Sequence, residues 1–183
     1  NAATDVTQTF AIGKAAQTID FTDPTDTTFT PAGTVSLSAS SDSGLTVGFA
    51  STTTGICTVS GSTVTMVAAG TCSITASQAG DDNYNAATDV TQTFAIGKAD
   101  QTITFTQPAD VTFGVSSVSL DATASSGLTV SFVSNDTSVC TVSGSAATIV
   151  GAGTCSITAS QPGNDDYNPA PDITRTFAAG QSA

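Results

Sequence analysis

The residues with the widest chemical scope are four cysteines, Cys57, Cys72, Cys140 and Cys155, set as two pairs that are each 15 positions apart. A zinc site would need two more suitable ligands beside each pair, and the chain has no histidine. The spacing is not CxxC, and the neighbouring Thr, Val and Ser bring no positive charge to lower a thiol pKa. The expected role is structural. Four cysteines allow three pairings, and the repeat around them favours Cys57 with Cys72 and Cys140 with Cys155, because each copy must fold as its neighbour does.

Two acidic stretches come next. Asp42-Ser43-Gly44 has the triplet of aspartic proteases, but that chemistry needs two carboxylates sharing a proton. The corresponding triplet is Ser125-Ser126-Gly127, so the partner acid is missing and a turn is expected. Gly80-Asp81-Asp82-Asn83-Tyr84-Asn85 and Gly163-Asn164-Asp165-Asp166-Tyr167-Asn168 recur in both copies. Asp81, Asp82, Asp165 and Asp166 supply hard oxygen ligands of the kind calcium takes. No EF-hand or glycine-rich nonapeptide spacing accompanies them, and Asx turns explain the same residues, so both readings stay open. Tyr84 and Tyr167 are expected to pin these turns through their hydroxyls. Lys14 and Lys98 sit at repeat junctions, where an isopeptide bond would need a buried acid as catalyst; the chain has no Glu.

The inventory argues against an enzyme. There is no His, no Glu and no thiol left unpaired, and the many Ser and Thr have no evident base beside them. No cofactor is expected beyond the possible calcium. A net charge of −12, with Lys14, Lys98 and Arg175 as the only cations, argues against nucleic acid. No apolar run reaches the ~20 residues that span a bilayer, so membrane insertion is not expected. The absence of Trp weighs against a sugar-stacking platform. Paired cysteines point to an oxidising compartment, outside the cell or in a periplasm, and an extracellular or cell-surface location is the one expected. No signal peptide is visible, so a processed chain or an excised piece of a longer one is expected.

The elements that position these residues follow from period-2 alternation. Cys57 and Val59 share a face, as do Cys72, Ile74 and Ala76, with Thr and Ser opposite. The stretch recurs 83 residues later, so the chain reads as two repeats, 15–98 and 99–183. In the first, strands are expected at 17–21, 35–39, 45–49, 57–59, 64–67, 72–76 and 88–96, with a tight hairpin at Ser60-Gly61-Ser62. Seven strands at even spacing predict an all-β fold, two tandem immunoglobulin-like sandwiches with one internal disulfide each. In the last strand Val90, Gln92, Phe94 and Ile96 share parity, so the polar Gln92 predicts a bulge or an open edge. Residues 1–15 repeat 85–99 without a change. Residues 1–14 are therefore the closing strand of a preceding repeat, or a free strand in which Asp5, Val6, Thr7, Gln8, Thr9 and Phe10 pair with a neighbouring subunit.

Residues 134–142, from Ser134-Asn135-Asp136-Thr137-Ser138-Val139 into Cys140-Thr141-Val142, are followed by Val150-Gly151-Ala152-Gly153-Thr154-Cys155-Ser156-Ile157-Thr158-Ala159. Together they resemble the bacterial immunoglobulin-like (BIG-type) repeats of large secreted and surface proteins. The cysteines stand where that family's pattern commonly has small alanines. The resemblance implies stalks, adhesins and surface-layer modules, with neighbouring repeats or copies of the chain as partners. The expected function is a structural repeat of a bacterial surface adhesin, a spacer holding other domains away from the cell. The alternative is a subunit of a self-assembling extracellular filament or sheath that uses residues 1–14 for β-addition.

Overall fold

A computed structural model describes residues 2–181; the first residue of the N-terminal segment and the last two of the second repeat lie outside it. The chain forms two compact units, Asn1–Gly97 and Lys98–Ala183. Both are all-β, with no helix among the described residues.

Unit one contains β1 (Ile19–Phe21), β2 (Thr27–Thr28), β3 (Thr34–Ser36), β4 (Ala39–Ser41), β5 (Gly48–Ser51), β6 (Cys57–Ser60), β7 (Thr63–Met66), β8 (Gly70–Ser77) and β9 (Val90–Gly97). One face of the sandwich has the order β2-β9-β8-β5. The other is built from the pair β1-β4 and the triplet β3-β7-β6. Nine segments stand where seven strands are expected: β2 is an addition that joins the opposite face from β1, and the strand expected at 35–39 is found as β3 and β4. Expected strand 35–39 divides at Leu37, which is buried and whose N–H donates to the Ser62 carbonyl. There the chain changes partner from β7 to β1. The strand expected at 45–49 keeps its facing, but it pairs with β8 only from Gly48, opposite Ser77 where β8 ends.

Alternation in β8 sends Cys72, Ile74 and Ala76 into the core with no exposed surface, and its Thr and Ser outward. Phe21, Phe29, Val64, Phe94 and Ile96 fill the space between the faces. The Phe21 and Phe49 rings meet at 5.3 Å and 54°, a tilted pairing that aromatic quadrupoles favour. Ser60 pairs with Thr63 across a two-residue loop, and Gly61 takes the positive φ of 58° that this turn requires.

Unit two repeats the plan with β10 (Ile103–Phe105), β11 (Val111–Thr112), β12 (Ser117–Ser119), β13 (Ala122–Ala124), β14 (Ser131–Ser134), β15 (Cys140–Ser143), β16 (Ala146–Ile149), β17 (Gly153–Ser160) and β18 (Ile173–Gly180). Its faces are β11-β18-β17-β14 opposite β10-β13 and β12-β16-β15. Its core holds Phe105, Leu120, Ile157 and Phe177 around the cystine.

The closing strand has no bulge. Pairing of β9 with β8 runs without interruption from Gly70 opposite Ile96 to Ala76 opposite Val90. The open-edge reading is the one found: β2 covers β9 only at Ile96 and Gly97. Below that point Gln92 reaches across the sandwich, and its Nε2 donates to the Phe21 carbonyl at 3.2 Å. Arg175 does the same to the Phe105 carbonyl through Nε, at 3.3 Å. Residues 2–14 form no strand, although their copy at 86–98 contains one.

Candidate functional site

The cystines join opposite faces of each sandwich. Cys57 on β6 bonds Cys72 on β8 with Cα atoms 5.7 Å apart, and Cys140 on β15 bonds Cys155 on β17 with 5.6 Å. Both have the pairing expected from the repeat. All four residues are without exposed surface, so neither bond is presented to a reductant or substrate. Each closes a loop of 15 residues, which the chain-entropy account values at about 3 kcal/mol.

A second fastening lies where each unit begins. Gln17 is buried, and its amide is fully used: Nε2 donates to Gln78 Oε1 at 2.7 Å and to the Asn85 carbonyl at 2.6 Å. Its Oε1 accepts from Ser41 Oγ at 2.7 Å and Ser43 Oγ at 2.6 Å. Gln101 repeats this with Gln161 Oε1, the Asn168 carbonyl and Ser126 Oγ. Sequence reasoning passed over these glutamines. The signal was there, since a Gln occupies the same place before an inward Ile in both repeats.

The glutamine clasp holds the acidic turn. Asp81 Oδ1 accepts from the Asn83 and Tyr84 N–H groups, both at 2.8 Å, and Asn164 Oδ1 does the same for Asp166 and Tyr167 at 2.9 Å. An amide thus fills the place of a carboxylate in the same Asx turn. Among the described residues no group of three or more acids, cysteines or histidines is placed to hold a metal. What fixes Tyr84 is its backbone, whose carbonyl accepts from the Asp81 N–H at 3.1 Å. Gly80 sits at φ +77°, and a Cβ there would collide with that carbonyl; Gly163 is in the same position before Tyr167.

The turn receives the residues entering the unit. Ala15 N–H donates to the Asn83 carbonyl and its own carbonyl accepts from Asn85 N–H, both at 2.8 Å. Lys14 Nζ donates to the Asp81 carbonyl at 2.7 Å. In unit two Ala99 pairs with Asp166 and Asn168, and Lys98 Nζ donates to the Asn164 carbonyl at 2.6 Å. The lysines therefore cap turn carbonyls.

Asp42 does not resemble half of a catalytic dyad. Its carboxylate accepts from Thr18 N–H at 3.0 Å and from Thr18 Oγ1 at 2.8 Å. Those bonds, the backbone one first, hold its pKa below the usual carboxylate range. In unit two Ser125 Oγ accepts the matching Thr102 N–H. Asp136 is lowered likewise, by the Ser138 hydroxyl and then the Ser138 N–H. Between β4 and β5 an open groove of about 410 Å³ is lined by Leu37, Leu45, Val47 and Phe49, and it recurs in unit two. No charged side chain lines the unit-one groove. No helix of the described residues is long and apolar enough to cross a membrane.

No family model and no curated protein matches the chain. Among solved structures it is similar to Drosophila N-cadherin EC1-4, at 13% identity and a TM-score of 0.41 over 93% of this chain and 50% of that one. Human mucin-like protocadherin EC1-2 matches at 9% identity and 0.38, over 90% and 98%. A C-terminal fragment of intimin, in complex with the intimin-binding domain of its translocated receptor, matches at 19% and 0.29, over 73% and 51%. The chain spans half the length of the N-cadherin fragment. At these levels the likenesses carry no argument about role.

Proposed function

We propose that the chain is a pair of immunoglobulin-like repeats, 15–98 and 99–183, from the stalk of a bacterial extracellular surface protein. Its work is mechanical: it is a spacer that holds other domains away from the cell and catalyses nothing. Residues 1–14 are read as the closing strand of a preceding repeat, and neighbouring repeats are the proposed partners.

The joint carries this reading. Gly97 is still in the sheet of unit one, its carbonyl accepting from Phe29 N–H at 2.8 Å. Ala99 is already bonded to the turn of unit two. Lys98 alone lies between them, and its side chain is also fastened to that turn. The linker between the repeats is thus a single residue, shorter than the flexible connections that separate independent domains.

Three further features agree. β2 and β9 run parallel at Thr27–Ile96 and Thr28–Gly97, so opposite pulls on the ends of unit one load their cross-strand bonds together. Buried cystines in both units fit an oxidising exterior. A charge of −12 keeps repeats mutually repelling and does not suit nucleic acid.

Negative-stain imaging and small-angle scattering of the purified chain test the proposal. The expected particle is a rod of two beads whose length is independent of salt. A folded-over pair with flexible separation would overturn it.

A further inference from the structure

β5 is the outer strand of its sheet, and β14 is the outer strand of the matching sheet in unit two. Leu45, Val47 and Phe49 are half-buried, with Thr46, Gly48 and Ala50 exposed between them. Leu128, Val130 and Phe132 repeat the pattern. Among the described residues no strand pairs with the far side of either run. Thr52 N–H donates to the Ser73 carbonyl, and alternation then turns Ala50 and Gly48 toward β8 and Val47, Phe49 and Ser51 away from it. Asn135 N–H donates to the Ser156 carbonyl, which leaves Val130, Phe132 and Ser134 facing outward in the same way.

An apolar groove lies beside each outward edge. The one between β4 and β5 holds about 410 Å³, and the one between β13 and β14, lined by Leu120, Leu128, Val130 and Phe132, about 470 Å³. Open sheet edges invite pairing, and proteins commonly blunt them with charge, proline or a bulge. Neither 45–52 nor 128–134 contains a charged residue or a proline, in a chain with fifteen acids. The pairing of β5 and of β14 also runs without a bulge.

We infer that each unit accepts an extended, cationic segment of another protein, which adds as a strand to β5 or β14 and sets alternate apolar side chains into the neighbouring groove. Backbone bonds along the edge supply affinity, and the groove sets the side-chain preference. Inward side chains of such a segment recur about every 6.6–6.8 Å, two strand residues apart. This partner is additional to neighbouring repeats, and the inference does not rest on the spacer reading.

The partner's sign follows from the chain's own charge. None of Lys14, Lys98 and Arg175 lines either groove, while Asp121 lines the one in unit two. Asp42 directly follows β4 beside the one in unit one. With a net charge of −12, the field around both edges draws a basic segment and repels an acidic one. A second copy of this chain fits poorly. It carries the same −12, and the inward side chains of its own β5 are turned into its own core, so both grooves would stay open.

The probe is a labelled peptide in which valine alternates with lysine, titrated into the whole chain and followed by fluorescence anisotropy and amide hydrogen exchange. One peptide should bind per unit. Exchange at the Val47, Phe49, Val130 and Phe132 N–H groups should slow about tenfold when roughly nine-tenths of the sites are filled. Salt at about 1 M, which screens charges beyond about 3 Å, should weaken binding. The same peptide with glutamate in place of lysine, or with an N-methylated backbone, should not bind. Thr46→Lys together with Thr129→Lys puts a cation beside each edge at an exposed position; this variant should melt like the wild type and lose the peptide. The inference is overturned if the lysine peptide fails to bind, if the N-methylated peptide binds as tightly, or if the protected amides lie elsewhere. It is equally overturned if neither salt nor the double variant weakens binding, or if the chain alone forms dimers whose Phe49 and Phe132 N–H groups are already protected. None of these outcomes bears on the length of the rod, by which the spacer reading is judged.

Discussion

Reducing the two cystines should lengthen the chain under load by a definite amount. The segment closed by Cys57–Cys72 spans 15 residues and contains all of β7. While the bond holds, a pull on unit one crosses from Cys57 to Cys72 over a Cα separation of 5.7 Å, and the residues between stay slack. Extended at ~3.3–3.6 Å per residue, the same segment reaches about 50–54 Å. Reduction therefore adds about 44–48 Å to the length unit one releases when it unfolds. Unit two closes an identical span across 5.6 Å, so its increment should grow equally. Single-molecule force spectroscopy on the tethered chain reads both values, once as isolated and once after unfolding in denaturant with reductant and refolding with the reductant kept present, because the folded chain shields both bonds. C57A/C72A should lengthen the unit-one event alone, which assigns the peaks. The same change should lower equilibrium stability by about 3 kcal/mol if the effect is mainly on the unfolded chain. Increments indifferent to reductant would refute the idea that the staples sit in the load path.

The remaining predictions concern the fastenings. Gly80→Ala should destabilise unit one by about 1–3 kcal/mol in chemical denaturation, since φ +77° and the Tyr84 carbonyl both oppose a side chain. Gln101→Leu should cost about 1–3 kcal/mol, seen as a lower melting temperature of unit two, because buried partners of the amide lose their bonds. Asp42 and Asp136 have pKa values lowered by hydrogen bonds to Thr18 and Ser138. Their contribution is thus present above the unfolded carboxylate pKa of about 4 and is lost as pH falls through the lower folded value. Thermal melts below pH 4 should show unit one becoming less acid-sensitive in Asp42→Asn; an unchanged pH profile would count against the Thr18 bonds as the cause.

How far the chain was legible depended on whether a feature was local. The cystines, the inward faces of β8 and β17 and the hairpin at Gly61 were readable because alternation and turn chemistry act over two to four residues. The break at Leu37 was not, because it depends on a change of partner from β7 to β1, which sequence alternation does not encode. The start of β5 was misplaced for a related reason: strand pairing stops where the neighbour stops, and Ser77 ends β8. The glutamine clasp was missed since a single polar residue beside an apolar strand looks like surface until its four partners are brought together by the turn.

The two units also act as substitution experiments on each other. Asp81 becomes Asn164, yet both accept the same two N–H groups. Asp42 becomes Ser125, and the threonine N–H is still met. Gln92 becomes Arg175, and the Phe carbonyl on the opposite face keeps a donor. In each pair the charge or its sign changes while the hydrogen bond survives. Proton transfer by a carboxylate would not tolerate that exchange between otherwise matching sites. Among the positions unchanged in both units are the cystines, which cross-link the two faces, the clasp glutamines, the turn glycines and the junction lysines, which cap turn carbonyls. The constraint shared by the two repeats at these positions is therefore geometric.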